Sequence, residues 1–231
     1  MKVFVDPACN ILYSSFYVQG LWQLYGRCNA HFCGYPFRNL HYNVDTHIFA
    51  FVIDGKKYCI DFADSNQVFY SDFLDWADVY GNNSYIPADY RDKIIRCGCN
   101  YALSIVQNRY TAVTMALLNY LKSFHRLKFS FRVFLSRYIM QAKRKTIIEQ
   151  KKYRRVDNYV FFVSTLWRGQ DDCNRARINF IRACLRLSKE GLIKFEGGLI
   201  PDAEQDFSGI EDIIWTDHIA YDEYLQKMQR S

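Results

Sequence analysis

The sequence predicts an α/β protein in which strands alternate with helices, as in a doubly wound sheet of Rossmann character. Three observations support this prediction. The chain opens on an alternating strand, KVFVDP at 2–7, that stops at a proline. Two apolar runs flank Asp54-Gly55, which indicates a β-hairpin. A fully apolar run, YVFFVSTLW at 159–167, begins a second strand, loop and helix pattern.

The elements of the first half follow in order. Residues 11–26 are predicted to form a helix that Gly26 ends, because apolar residues recur there close to helical spacing. NAHFCG at 29–34 predicts a short strand ahead of the hairpin. ADVYG at 77–81 and DKIIRCG at 92–98 predict two more.

A long helical pattern then runs from Thr111 to about Lys145. Its apolar residues recur at three and four positions and predict one buried face, made of Leu117, Leu121, Phe124, Leu127, Phe131, Phe134, Leu135 and Tyr138. The basic stretch at 143–155 has little apolar content and indicates a linker or a helix end. We therefore expect a Rossmann-like N-terminal domain at 1–150 and a second, incomplete one at 151–231.

The second domain is predicted as strand, helix, strand and helix. Asn174 is the expected N-cap of the first helix, and Gly191 its end. LIKFEGGLI at 192–200 is the next strand, which we expect to finish at Gly197-Gly198. AYDEYLQKMQRS is the last helix, and since a parallel strand normally follows such a helix, the domain is expected to be incomplete.

Composition narrows the class of protein. No apolar run approaches the roughly 20 residues that span a bilayer, and the N-terminus lacks the pattern of a secretory signal, which predicts a cytoplasmic protein. The eight cysteines are scattered and are interpreted as small buried hydrophobes. Cys97 and Cys99 form a close pair, but no second pair has matching spacing, so no metal site is expected.

Positive charge is concentrated in one segment. Residues 122–155 carry twelve Lys or Arg and one acid, whereas the whole chain has a net charge of +6. A solvated helix face is the ordinary explanation of such a run, and peripheral contact with an anionic membrane is the alternative. Nucleic acid is not expected, because no RNP motif, helix-turn-helix or zinc knuckle is present.

The loop after the strand at 159–167 is the predicted phosphate site. A loop at the carboxyl end of a parallel strand, followed by a helix N-terminus, suits a nucleotide diphosphate. The hydroxyls and guanidinium groups expected to bind it belong to Ser164, Thr165, Arg168 and Arg175, and the next strand adds close backbone approach at Gly197 and Gly198. Surface loop, helix cap and ordinary turn are the alternatives.

Carboxylates that end strands in the first domain are the candidate general bases. Asp6 and Asp64 are the catalytic candidates, and Asp61 is placed similarly. Capping of the next helix is the alternative role. The aromatic residues of the first predicted helix, Tyr13 among them, are interpreted as core, with stacking on a sugar ring as the alternative.

Four ordered segments carry a resemblance to a known family: VDPACNILYSSFYVQGLWQLYG, DFADSNQVFYSDFLDWADVYG, VFFVSTLWRGQDDCNRARINFIRAC and FEGGLIPD. Together they resemble bacterial glycosyltransferases of the GT-B architecture that assemble capsular and other surface polysaccharides, and the likeness covers nearly the whole chain. The resemblance implies two Rossmann-like domains, the first for the acceptor and the second for the sugar nucleotide. It also implies a further strand and a Gly-rich donor-binding segment after the last helix. RCGCNYA at 96–102 departs from the Gly-Pro turn expected of relatives.

The expected function is transfer of a sugar from a nucleotide-sugar donor to a surface polysaccharide or a lipid-linked glycan. No cofactor is expected beyond the donor, and the protein is expected in the cytoplasm or at the inner face of the plasma membrane. Because the donor domain is predicted to be incomplete, an inactive chain is also an expectation. The alternatives are a non-catalytic module that binds glycan or a membrane surface, and a nucleotide-binding regulator.

Overall fold

The computed structural model describes residues 2–63, 70–83, 92–98, 100–150, 156–202, 207–215 and 219–231. The chain divides into two compact units, Met1–Ile147 and Ile148–Ser231. Both are α/β. No helix in these described ranges is long and apolar enough to cross a membrane.

The first unit is built on a mostly parallel sheet. Its described strands are β1 (Val3–Val5), β2 (Ala30–Phe32), β3 (Ile48–Ile53), β4 (Lys56–Asp61), β5 (Val79–Asn82) and β6 (Ile94–Arg96). They are ordered β2-β1-β3-β4-β5-β6. β3 runs antiparallel to β1 and β4, and the other neighbouring pairs are parallel. The predicted short strands and the hairpin are confirmed.

The hairpin turn sets the register of the antiparallel strand. Asp54 and Gly55 have φ angles of 46° and 88°, so both occupy the left-handed region, as a two-residue type I′ turn requires. The turn places Ile48 opposite Asp61 at the far end of the pair. Because side chains alternate along a strand, Phe49 and Phe51 then lie on one face of the sheet and Ile48 on the other.

Helices cover both faces of this sheet. They are α1 (Ile11–Tyr25), α2 (Ser71–Trp76), α3 (Arg109–Leu121) and α4 (Phe131–Ala142), and a short α5 (Ile147–Gln150) follows. α1, α3 and α4 share a core with Phe49 and Phe51. α2 packs through Phe73 on the opposite face, in the core that contains Ile48. The predicted α1, which ends at Gly26, is confirmed, whereas α2 was not predicted.

The single helix predicted from Thr111 to Lys145 is wrong. α3 ends at Leu121, a 3-10 turn follows at Phe124–Arg126, and α4 starts only at Phe131. Between them the chain pairs with Tyr42, whose N–H donates to the Arg126 carbonyl and whose carbonyl accepts from the Lys128 N–H, at 2.9 and 2.8 Å. Tertiary hydrogen bonds therefore override the local helical pattern here.

The buried face predicted for this segment is also wrong in part. Phe134 and Tyr138 of α4 are buried, as expected, but Leu117, Leu121 and Phe124 are about half exposed. The residues that α3 buries are Ala112, Ala116 and Asn119, and Met115 and Tyr120 pack partly buried beside them. A period of 3.6 residues identifies a face but not the direction in which it points.

The second unit is a strand, helix and strand unit with a helix on each face. Its described elements are β7 (Tyr159–Leu166), α6 (Asp171–Lys189), β8 (Lys194–Pro201) and α7 (Tyr221–Arg230). β7 and β8 are parallel over eight residue pairs. α6 packs on one face with Leu166 and Leu199. On the other face Phe161 contacts Tyr224 of α7, with ring centroids 5.6 Å apart.

Two predictions for these strands need correction. The apolar run at 159–167 suggested an interior strand, but within the described residues β7 pairs with β8 alone. Gly197 and Gly198 lie inside β8 rather than at its end. A Cβ at Gly197 would meet the Phe162 carbonyl, and one at Gly198 would meet the indole of Trp215. These glycines make room for packing within the unit.

A polar cluster fixes α7 to the sheet. The Tyr159 hydroxyl donates to Glu196 at 2.7 Å, and Lys227 of α7 forms ion pairs with both Glu196 and Glu223. The hydrogen bond from Lys227 and that from Tyr159 lower the pKa of Glu196. A lowered carboxyl pKa stabilises the fold above the pKa of the unfolded state, and this contribution is lost as the pH falls through the folded pKa.

We expect Lys227→Met to destabilise the second unit by about 0.5–1 kcal/mol, since the ion pairs are partly solvated. The difference from wild type should shrink in acid as Glu196 is protonated. Urea unfolding followed by circular dichroism at neutral and acidic pH measures both effects. Lys189→Met, at an exposed position at the end of α6, is the control. An equal loss in the two variants at neutral pH would contradict the assignment.

Candidate functional site

In the first unit, the helices that follow β1 and β4 lie on opposite faces of the sheet. From β1 the chain crosses through α1 to β2, and from β4 it crosses through α2 to β5. Because α1 and α2 cover opposite faces, the loops after β1 and β4 diverge, a topology that places a ligand-binding crevice at the carboxyl edge of such sheets. Only the antiparallel β3 lies between those two strands. The switch-point crevice, defined by the ends of β1, β4 and β5 and the start of β3, is the candidate site.

Asp6, at the end of β1, is a structural anion. Its carboxylate is fully buried and forms a two-point ion pair with Arg126, with N–O distances of 2.6 and 2.9 Å. It also accepts hydrogen bonds from the Ala8 N–H and the Tyr42 hydroxyl, both at 2.9 Å. With its oxygens already bonded and no exposed surface, Asp6 cannot reach a substrate hydroxyl in this conformation.

Asp61, at the end of β4, resembles Asp6 in accepting from a backbone N–H and from a tyrosine hydroxyl. It accepts from the Ala63 N–H at 2.9 Å and the Tyr80 hydroxyl at 2.7 Å. No cation pairs with it among the described residues. Burial raises its pKa, although these hydrogen bonds and the nearby His47 act in the other direction. The two carboxylates, each at the carboxyl end of a strand, therefore differ in charge balance, because Arg126 neutralises Asp6 and not Asp61.

An aromatic cluster lies beside Asp61 on the other face of the sheet. Tyr13 of α1, His47 before β3 and Phe62 after β4 have ring centroids 6.0–6.1 Å apart. Tyr13 is 44% exposed and Phe62 is buried. The Tyr13 ring therefore presents an apolar surface to solvent at the edge of the crevice, next to a titratable imidazole.

Two asparagines at the same edge have buried acceptors without a partner. The Oδ1 atoms of Asn10, which precedes α1, and of Asn83, which follows β5, accept no hydrogen bond from any described residue. Asn10 is only 4% exposed and does not cap α1 with its side chain. A buried acceptor that lacks a donor is costly, so these atoms favour a bound water or, where a local rearrangement exposes them, a ligand that brings hydroxyl or N–H groups.

Cys9 lies beside Asp6 and is not a nucleophile. Burial, followed by the charge of Asp6, raises the pKa of its thiol to about 12. Cys59 and Cys184 are also buried, as expected, but Cys28 and Cys173 are exposed, and the interpretation of all cysteines as buried hydrophobes is wrong for these two. Within the described residues no three His, Cys, Asp or Glu side chains form a group able to hold a metal ion.

The predicted phosphate residues are dispersed in the second unit. Ser164 and Thr165 lie within β7 and are half-buried. Arg168 is exposed in the loop that follows. Arg175 is exposed on α6 and pairs with Asp172 at 3.2 Å. Asp64 lies outside the described residues.

The start of α6 differs from the prediction. The helix begins at Asp171, and Asn174 is a buried residue of its first turn rather than its N-cap. Its side-chain amide bonds both the N–H and the carbonyl of Trp167, at 3.0 and 2.7 Å, and closes the loop. Asp171 and Asp172 place two carboxylates at the helix N-terminus. They already complement the helix dipole and disfavour an anion there.

Comparison of the chain with protein-family models, with curated proteins and with solved structures finds no match in any of the three. The chemistry of the site therefore rests on its own geometry. Sequence reasoning did not identify Asn10, His47 or Asn83. The predicted strands contain a signal for them, since all three lie within five residues of a strand terminus at the carboxyl edge.

The contrast between the two carboxylates is testable. Asp6→Asn should cost about 3–5 kcal/mol, because it leaves the Arg126 guanidinium buried without a counter-charge. Asp61→Asn should cost clearly less, since no cation loses its partner. The amide oxygen still accepts from the Ala63 N–H, and the amide NH2 donates to the Tyr80 hydroxyl, which then accepts instead of donating. Urea unfolding of the two variants measures the difference, and equal losses would contradict it.

Proposed function

We propose that this chain is a glycosyltransferase-like protein of the GT-B type, which transfers a sugar from a nucleotide-sugar donor to a surface polysaccharide or lipid-linked glycan. The first unit binds the acceptor in the switch-point crevice, and the second unit contributes to the donor site. One observation carries the proposal, namely the unpaired buried acceptors of Asn10 and Asn83 on the same edge as the exposed ring of Tyr13.

That combination suits a carbohydrate. A sugar ring has an apolar face of C–H groups, which packs on an aromatic ring, and hydroxyls around its rim, which donate to amide oxygens. A site built to hydrogen-bond a hydroxyl also discriminates strongly against ligands that lack it, because its own polar groups are then left unpaired. The crevice therefore favours a polyhydroxylated acceptor over an apolar or anionic one.

The proton acceptor in this proposal is His47. An attacking hydroxyl must lose its proton, and a general base must lie within hydrogen-bond reach of it. Asp6 does not fill this role, because it is buried in its ion pair with Arg126. His47 is partly exposed in the aromatic cluster. The next residue, Ile48, pairs with Asp61 in the sheet. The negative charge of an ionised Asp61 would stabilise the imidazolium that forms.

Arg168 is the proposed ligand of the donor diphosphate. It lies in the loop at the carboxyl end of β7, where a nucleotide binds in parallel α/β units. Arg175 is less suited, because Asp172 already pairs with it and two carboxylates occupy the first turn of α6. The donor would therefore approach the loop rather than the helix N-terminus.

A non-catalytic module that binds glycan is the second candidate. The burial of Asp6 favours it, because a carboxylate expected to act as base is used to hold the fold together. Both candidates predict glycan binding, and only the transferase predicts release of a nucleoside diphosphate from the donor when an acceptor is added.

Acceptor binding is expected to depend on Tyr13. Tyr13→Ala should weaken binding of oligosaccharides about five- to tenfold, as loss of one aromatic contact does. Saturation-transfer NMR against a panel of surface oligosaccharides, followed by titration of the best ligand, provides the measurement. Tyr35→Ala, at an exposed ring that is not among the residues defining the crevice, should leave affinity unchanged. Retained binding in Tyr13→Ala would remove the crevice as the acceptor site.

Donor binding is expected to depend on Arg168 more than on Arg175. In calorimetric titrations with UDP- and GDP-sugars, Arg168→Ala should lose at least about tenfold in affinity, the typical loss for a hydrogen bond to a charged group. Arg175→Ala should change it by less than about twofold, because its exposed ion pair contributes little. If the wild type binds neither class of donor, or if the two variants lose equally, the donor assignment is wrong.

A further inference from the structure

α3 leaves a row of large apolar residues exposed. Its buried residues are Ala112, Ala116 and Asn119, and Met115 and Tyr120 pack against the core beside them. The side chains on its outer face, together with the ring just after its end, are 37–84% exposed and form what we name the α3 stripe: Tyr110, Val113, Leu117, Leu118, Leu121 and Phe124. An amphipathic helix usually keeps its outer face polar, so an apolar outer face indicates a surface that something covers.

The α3 stripe is continuous along the helix. Tyr110, Val113, Leu117 and Leu121 follow one another at intervals of three and four, so that their side chains are neighbours on one side of the cylinder. Leu118 widens this row, and Phe124 follows it in the 3-10 turn. A helix of this length extends for about 20 Å. Isolated exposed apolar residues are ordinary, but a contiguous row of this length marks an interaction surface.

The charge around the stripe has one sign. From Lys93 to Ile148 the sequence contains eleven Lys or Arg and no Asp or Glu. Arg126 is neutralised in the core by Asp6. Arg109 and Lys122 stand exposed at the two ends of α3, and further exposed cations follow at Lys128, Arg132 and Lys143.

We propose that the α3 stripe is a docking surface for the interface of a bilayer that contains anionic phospholipid. The apolar side chains enter the boundary between headgroups and acyl chains, and the cations at the helix ends contact the lipid phosphates. In sequence, α3 precedes most of the basic segment at 122–155. Its apolar side chains supply the contact with acyl chains that a purely basic segment lacks. The proposal does not depend on sugar transfer.

Charge argues against a second copy of the chain as the occupant. If two α3 helices packed antiparallel about a two-fold axis, Arg109 of one would approach Lys122 of the other, and no nearby acid in sequence could compensate. A membrane with anionic headgroups supplies the missing negative charge. It also accepts a convex helical surface without a complementary groove.

Flotation with vesicles tests the proposal. Wild-type protein should float with vesicles of phosphatidylcholine containing about one-third phosphatidylglycerol, and much less with phosphatidylcholine alone or at about 0.5 M salt. The double variant L117S/L121S should reduce the bound fraction at least about tenfold, because two large apolar side chains no longer enter the lipid. Both leucines are exposed, so the fold should survive.

The matched control is L24S/L192S. These leucines are 75% and 56% exposed and lie outside the stripe, so this variant should float like wild type. Arg109→Glu should reduce binding to anionic vesicles roughly fivefold or more. Absence of wild-type flotation, or flotation of L117S/L121S equal to wild type, would overturn the proposal. A wild-type dimer in light scattering that L117S/L121S dissociates, without vesicle binding, would identify a second copy as the occupant instead.

Discussion

The buried ion pair between Asp6 and Arg126 is the constraint on which the first unit depends. It joins the end of β1 to a turn 120 residues later in the chain. Removing two charges from water is unfavourable unless their geometry is good and their remaining hydrogen-bonding groups are satisfied. Here the guanidinium also donates to the carbonyls of Phe37 and Leu40, although its Nε has no partner among the described residues, and the carboxylate also accepts from Ala8 and Tyr42. The pair therefore fixes several loops at the carboxyl edge simultaneously.

The same pair explains why the helical segment after Arg109 is divided. Arg126 can reach Asp6 only if the chain leaves the helix, and the bridge between Tyr42 and Leu127 holds it in that path. The interruption separates α3 from α4 and lets them pack against each other. Tyr120 of α3 contacts the rings of Phe131 and Phe134, and the Asn119 amide donates to the Tyr138 hydroxyl at 2.9 Å.

Local sequence signals predicted most of the strands, helix ends and turns, whereas contacts between distant residues determine the roles of the polar side chains. The type I′ turn at Asp54-Gly55 and the end of α1 at Gly26 depend on residues next to them, and both are visible in the sequence. The role of Asp6 depends on Arg126, and nothing local distinguishes it from Asp61. Asn174 is a residue type that often caps helices, but its side chain bonds the backbone of Trp167 instead and closes the loop before α6. The candidate site was predicted at its carboxylates and, as an alternative, at Tyr13. The orphaned amide oxygens of Asn10 and Asn83 depend on how the chain packs around them, which the sequence alone does not show.

The chemistry of the crevice and that of α3 follow from one distribution of charge. The core of the first unit uses Asp6 to neutralise Arg126, and the segment around α3 has no acid left to neutralise its other cations. A ligand or surface that approaches α3 therefore meets cations and apolar side chains together, whereas one that approaches the switch-point crevice meets amides, an imidazole and an aromatic ring. Negative charge favours the first surface and hydroxyl groups favour the second. The proposed acceptor, a glycan carried on a lipid with an anionic headgroup, would have both features, and the proposals for the two surfaces would then concern one class of molecule.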